Sequence, residues 1–358
     1  MNFLKYPLYF SFKKKVSTKS LVVFTRQLST LIAAGLPLVK SLRTIYEQLE
    51  PCQLKDVIKD LTTEVESGTK FSEALLHFPR VFPEFYVNMI KAGEMGGMLE
   101  GILKRLSEFL DKSQRLRERV RSALMYPAFV LLVAIVILIM LMIFVIPTFT
   151  NMFSELGGSL PIPTRLLITL SDIVRKIWFL IPLIPILIVL IYKLLIKDPQ
   201  RRYFIDRMKL RIPVIGPLMH QISVARFSRT LGTLLSSGVP ILNALDTVRD
   251  TVGNEFISRA VAGLKDSIKE GEGVAGPMEN SGAFPSLVVK MVNIGEETGQ
   301  LDKMLVQIAD NFEEEVDVAI SGLTSLMEPV LIVSMGLVVG FIVIAMFMPL
   351  FSLARLIE

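Results

Sequence analysis

Residues 24–42, FTRQLSTLIAAGLPLVKSL, align without a gap on residues 227–245, FSRTLGTLLSSGVPILNAL, sharing Phe, Arg, Leu, Thr, Leu, Gly, Pro and Leu at an offset of 203. A second block follows at an offset of 202: residues 87–103, VNMIKAGEMGGMLEGIL, match residues 289–305, VKMVNIGEETGQLDKML. The same offset pairs Phe82-Pro83 with Phe284-Pro285 and Pro127 with Pro329. Collinear blocks of this kind mark a duplicated module. Each copy ends in an apolar run. The first, Ala128 to Ile146, holds 19 consecutive apolar residues between Pro127 and Pro147, and the second, Pro329 to Phe351, carries no charge. At helical rise the first run covers ~28 Å, about one bilayer hydrocarbon core.

Two copies in one orientation, each followed by a span, would strand the second on the far side of the membrane. A third apolar run, Ile177 to Ile196, returns the chain; only Pro182, Pro185 and Lys193 interrupt it, and Trp178 and Tyr192 stand near its ends as interfacial residues do. Charge gives the same topology. Lys104, Arg105, Lys112, Arg115, Arg117, Arg119 and Arg121 precede the first run, and Lys193, Lys197, Arg201, Arg202, Arg207, Lys209 and Arg211 end or follow the middle one, while residues 148–176 hold only three basic residues. Positive flanks stay in the cytoplasm. The expected order is a basic arm (1–16), a cytoplasmic helical repeat (17–126), a span (127–147), an external segment (148–176), a span (177–196), the second cytoplasmic repeat (197–327), a span (328–351) and an external tail (352–358). The net charge of +5 reads as topology, not as a nucleic-acid surface. Cys52 is the lone cysteine, so no intrachain disulfide forms, as befits domains facing the cytosol.

The apolar spacing within the repeats is helical: Leu21, Phe24, Leu28, Leu31 and Ile32 fall on one face, as do Phe227, Leu231, Leu234 and Leu235. Gly35 and Gly238 then stop the helix, and Pro37 and Pro240 suit the start of the next. No strand alternation appears, so the expected fold is all-α: two repeated cytoplasmic helical bundles plus three transmembrane helices. The sharpest local motif is a paired turn, Gly93-Glu94 to Gly97 and Gly295-Glu296 to Gly299, read as a tight hairpin in which the glutamate accepts amides near the start of the following helix or, alternatively, offers an acidic docking point. Gly336 and Gly340 stand at the small-xxx-small spacing of close helix packing.

Little in the chain points to chemistry. GEGVAG at residues 271–276 matches a dinucleotide fingerprint, but no strand precedes it and Pro277 follows. No Gly-Lys dipeptide exists, hence no phosphate-binding P-loop, and any energy must come from a partner. His77 and His220 are far apart in sequence and form no metal motif. Glu313, Glu314, Glu315 and Asp317 read as a solvated acidic face. No catalytic, cofactor-binding or metal residue is assigned. A carrier or channel is the alternative, although the first and third spans lack the charged residues such proteins place at mid-membrane depth.

The segments TRQLSTLIAAGLPL and SRTLGTLLSSGVPI, the GE..G.L turns, the preceding Phe-Pro pairs and the proline opening each repeated span closely resemble the type II secretion F, or GspF/PilC, family of inner-membrane platform proteins, from Val16 to Phe351. The resemblance implies a non-enzymatic, oligomeric core in the bacterial inner membrane with its N-terminus in the cytoplasm. Its partners would be a hexameric secretion or pilus ATPase, pilins or pseudopilins, and other inner-membrane assembly proteins. It marks Arg26, Arg229, Gly35, Gly238, Glu94 and Glu296 as structural or docking positions.

Overall fold

The computed structural model describes residues 16–155, 161–180, 183–196 and 198–357. All but Val16 of the basic arm, and Gly157 and Gly158 of the external segment, lie outside the described residues. Every regular element among the described residues is helical. The chain divides into two compact units: one holds residues 1–118 and 220–314, the other residues 119–219 and 315–358.

The first unit contains both repeats. Helices α1 (Thr18–Ala33), α2 (Leu38–Gln48), α3 (Gln53–Glu66), α4 (Phe71–Leu76), α5 (Glu84–Met95) and the start of α6 (Leu99–Met140) form the first copy. For the second copy, α10 (Pro199–Lys209) in the other unit precedes α11 (Ile215–Ser236), α12 (Ile241–Thr251), α13 (Glu255–Lys269), α14 (Ala275–Ser281), α15 (Ser286–Glu297) and the start of α16 (Leu301–Ile357). The two copies share one apolar core. Phe24 meets Phe82 with ring centroids 6.0 Å apart, and their counterparts Phe227 and Phe284 lie 4.7 Å apart. Polar contacts also join the copies: Asn88 Nδ2 donates to Thr247 Oγ1 at 3.2 Å, and Lys112 pairs with Asp310 at 2.7 Å. The copies are not identical. Tyr86 is fully buried and hydrogen-bonds Thr25 Oγ1 at 3.2 Å; burial pushes its phenol pKa up, the Thr25 bond opposing. The corresponding residues are Val288 and Ser228, so the buried Ser228 hydroxyl has no partner among the described residues.

Two helices among the described residues are long and apolar enough to cross a membrane, one over Leu99–Met152 and one over Leu301–Pro349. The first continues from α6 through a π-helical turn, Leu141–Val145, into α7 (Ile146–Glu155). The external segment of the sequence reading is largely helical here. Beyond α7 it contains α8 (Ile162–Ile177), which leads through a 3₁₀ turn, Trp178–Leu180, to α9 (Leu183–Leu195). In the sequence, glycines and prolines just before α8 and a scarcity of basic charge mask this helix. The expected external tail likewise continues α16, to Ile357.

Helix α8 repairs what prolines break. A proline inside a helix cannot donate to the carbonyl one turn back. Pro349 thus frees the carbonyl of Ala345, which accepts from Thr164 Oγ1 at 2.6 Å. In the π-helical turn the Ile146 amide bonds to Leu141, and the residue five beyond Met142 is Pro147, so Met142 also loses its partner; its carbonyl accepts from Ser171 Oγ. Thr164, Leu167 and Ser171 are the buried residues of α8, and Thr164 and Ser171 stand seven apart, two turns along one face. Ile162, Leu166, Leu170, Ile173 and Ile177 form an exposed apolar stripe elsewhere on it. Replacing Thr164 by valine or Ser171 by alanine orphans a buried carbonyl, and each change is expected to destabilise the second unit by ~1 kcal/mol. Protection of the α8 amides in hydrogen exchange on reconstituted protein should fall accordingly. Unchanged protection in both variants would show that the hydroxyls are not what holds α8.

Candidate functional site

The residues singled out in the sequence fall into three matched pairs of sites, one of each per repeat. The first is the turn after α1 and α11. Gly35 and Gly238 adopt φ 82° and 80°, a left-handed conformation that side chains resist, and their amides bond to Ile32 and Leu235. Pro37 and Pro240 then occupy the N-cap positions of α2 and α12, and their carbonyls accept from Ser41 and Ala244.

The second pair is the glycine–glutamate hairpin. Gly97 and Gly299 take φ 64° and 66° just beyond α5 and α15. Gly93 and Gly295 are close-approach positions. A Cβ on Gly93 would lie 2.9 Å from Ile102, and one on Gly295 would lie 3.0 Å from the backbone of Leu301. The adjacent glutamates reach backward in sequence, not forward to the next helix. Glu94 accepts from the amides of Phe71 (2.6 Å) and Ser72 (3.0 Å) at the start of α4; Glu296 accepts from Val274 (2.9 Å) and Ala275 (3.2 Å) at the start of α14. Helices α4 and α5 form an antiparallel hairpin, as do α14 and α15, which brings the last turn of one over the first turn of its predecessor. An anion there satisfies the otherwise unpaired amides. The GEGVAG segment is thereby accounted for: it is an anion-binding turn whose anion is the protein's own carboxylate. A Cβ on Gly273 would lie 2.5 Å from Glu296 Oε1, so a side chain there would have to displace the carboxylate.

The third pair is an arginine clamp. Arg26 on α1 pairs with Asp111 on α6, and Arg229 on α11 pairs with the matching residue, Glu313 on α16, at 2.9 Å. Arg229 also holds Asp310 at 2.5 Å, which Lys112 grips from the other copy. Arg26 is 57% exposed as a side chain and Arg229 only 7%. Partial burial works to raise the Asp310 carboxyl, but hydrogen bonds from Lys112 and Arg229 and their charges outweigh it and hold the pKa below its ordinary value. Within the acidic run, Glu313 pairs with Arg229 and Asp317 with Arg119. His77 pairs with Glu64 at 2.8 Å, and His220 Nε2 donates to the Ala283 carbonyl at 2.8 Å. Among the described residues no group of three or more His, Cys, Asp or Glu stands ready for a metal ion. Gly336 and Gly340 face no described atom within 4 Å of an added Cβ.

The family model for type II secretion system protein F matches residues 24–147 and 227–349, the two copies found by self-alignment. The chain belongs to that family. It is 42% identical over 343 residues to the type IV pilus assembly protein PilC of Myxococcus xanthus, covering 96% of this chain and 82% of the relative. Identity is also 42% over 336 residues to PilC of Thermus thermophilus, covering 94% of this chain and 82% of that protein. To the type II secretion system protein F of Aeromonas hydrophila it is 32% over 349 residues, covering 97% and 89%. The family model begins at Phe24 and Phe227, next to the arginine clamps, and ends at Pro147 and Pro349, whose freed carbonyls bond to α8. Neither the target of the glutamates nor the role of α8 was visible in the sequence, because both depend on residues brought together over twenty or more positions.

Proposed function

We propose that the chain is an inner-membrane platform protein that couples a cytosolic ATPase to the assembly of pilin or pseudopilin subunits into a filament. The observation that carries this reading is that the last helix of each repeat, α6 or α16, continues as one helix from the paired, capped bundle past an internal proline, Pro127 or Pro329, into an apolar segment. A continuous helix passes displacement along its axis, whereas a flexible linker would absorb it. The relatives' names, pilus assembly and type II secretion, supply the context in which such a part has work to do. In this reading both repeats face the cytosol, α9 completes a third span, and the open glycine face at Gly336 and Gly340 meets another copy of the chain.

Single cysteines at Glu50 and Glu270 in a Cys52→Ser background test the topology. Both are expected to resist a membrane-impermeant maleimide in intact cells and to react after permeabilisation. Labelling of one alone in intact cells would place the repeats in opposite compartments and end the proposal. Co-purification of the full chain with the ATPase of the same gene cluster tests the coupling, which fails if the two do not associate in native membranes.

A further inference from the structure

Within the first unit a cavity of about 440 Å³ opens between the first and second repeats. The start of α1 (Ser17, Thr18) forms one wall, together with Arg80 and, on α6, Arg117; Arg226 and Thr230 of α11 form the other. Arg117 Nη1 donates weakly to Thr18 Oγ1 at 3.4 Å. Arg226 Nη1 lies 3.0 Å from where a Cβ on Gly253 would sit, so the glycine at φ 81° leaves the guanidinium its place. Arg229, on the same wall, is already held by Asp310 and Glu313. Among the described residues, no carboxylate pairs with Arg80, Arg117 or Arg226. Arg80, Arg117 and Arg226 are all exposed to solvent in part, yet partial burial and then the charge of Arg117 work against the charged form of Arg226, so two guanidinium groups sit within repulsive reach of each other at the cleft.

The duplication supplies an internal comparison. At the matched positions the other copy has Val23 for Arg226, Ala319 for Arg117 and Gly282 for Arg80. The repeated fold does not need these arginines, since each copy does without the other's. They nevertheless converge on one cavity from three separate segments. A lone carboxylate neutralises one guanidinium; two or three at close range call for adjacent negative charges, and planar forks with hydroxyls and a helix N-terminus suit phosphate oxygens. The cavity is also lined by the apolar Leu21, Val81, Phe85, Phe109 and Leu110, which would take an uncharged body. The volume suits a small ligand.

We propose that this cleft binds a small organic phosphate of the nucleoside-diphosphate class, its phosphates bridging Arg117 and Arg226 and its base against Phe85 and Phe109. The ligand would be bound and not hydrolysed, and would tie α6 of one repeat to α11 of the other. This inference does not rest on the platform reading.

The test uses the full chain in phosphatidylcholine nanodiscs and a fluorescent ADP analogue followed by anisotropy. Saturable binding is expected, with competition by pyrophosphate and a rise in melting temperature on loading. Arg226→Gln and Arg117→Gln should each weaken binding about tenfold or more. Arg115→Gln, on α6 but outside the cavity, should change it less than twofold. No saturable binding in the wild type, or equal loss in all three variants, would overturn the assignment. So would displacement of the analogue by phosphatidylglycerol in the disc, which would give the site to a lipid headgroup. Capture of an acidic peptide in place of pyrophosphate would also overturn it, in favour of a protein partner.

Discussion

Arg229→Met is expected to lower the stability of the repeat body by about 2–3 kcal/mol, and Arg26→Met by less than ~1 kcal/mol, although the two arginines occupy the same place in the duplicated fold. The difference follows from burial. The Arg229 side chain is 7% exposed and engages two carboxylates, whereas that of Arg26 is 57% exposed and engages one. Removing Arg229 leaves Glu313, 22% exposed, with its partner gone. Asp310, 47% exposed, keeps Lys112 and loses less, which is why the expected loss stays below that for a fully buried pair. In thermal melts of the full chain in detergent the shifts would be roughly 5–10 °C for Arg229→Met and under about 3 °C for Arg26→Met. A pH series adds a second readout. The Asp310 pKa is depressed in the fold, so its contribution is fully present above the unfolded carboxyl value and is lost as pH falls through the folded one. The gap between wild type and Arg229→Met should therefore narrow below about pH 4. Equal shifts at the two arginines, or a gap indifferent to acid, would mean that the clamp does not hold the second repeat together.

The duplicated elements were legible because they rest on local stereochemistry. Gly35 and Gly238, and Gly97 and Gly299, must adopt positive φ where helices end, and a residue type so constrained repeats visibly in a self-alignment. The apolar runs were legible for a similar reason: length and charge decide them. The glutamates were half legible. Their type and position pointed to an amide-accepting carboxylate, but helix-end rules look to the nearest helix start, and the actual donors lie 21 to 23 positions upstream, across a hairpin that only packing creates. Helix α8 was missed although its pattern was present, with Thr164, Leu167 and Ser171 on one face and Ile162, Leu166 and Leu170 on another. Its purpose becomes apparent only when Pro147 and Pro349 are recognised as leaving carbonyls open on two other helices. Arg117 stands in the sequence as charge flanking a span and Arg226 carries no signal of its own, because nothing in the sequence brings the two into one cavity.

Breaking the Glu296 cap from either side should give the same loss. Glu296→Ala removes the carboxylate that serves the amides of Val274 and Ala275, an expected cost of about 2 kcal/mol for two charge-assisted bonds at a helix start. Gly273→Ala leaves the carboxylate in place but sets a methyl 2.5 Å from Oε1, displacing it. The φ of Gly273 lies outside the left-handed range, so alanine is otherwise acceptable there, and the reduced freedom of the unfolded chain offsets ~0.5 kcal/mol. The expected cost of Gly273→Ala is then about 1–2 kcal/mol. Because both changes sever one contact, the double variant should be little worse than Glu296→Ala alone, a coupling of about 1 kcal/mol in a double-mutant cycle read from thermal melts. Glu297→Ala, one residue on and bonded among the described residues only to Asn293, serves as the control and should stay within ~0.5 kcal/mol of wild type. Additive losses at Gly273 and Glu296 would separate the glycine from the carboxylate and leave the GEGVAG turn without the explanation offered for it. Glu94→Ala should match Glu296→Ala, since its carboxylate also serves two amides, those of Phe71 and Ser72.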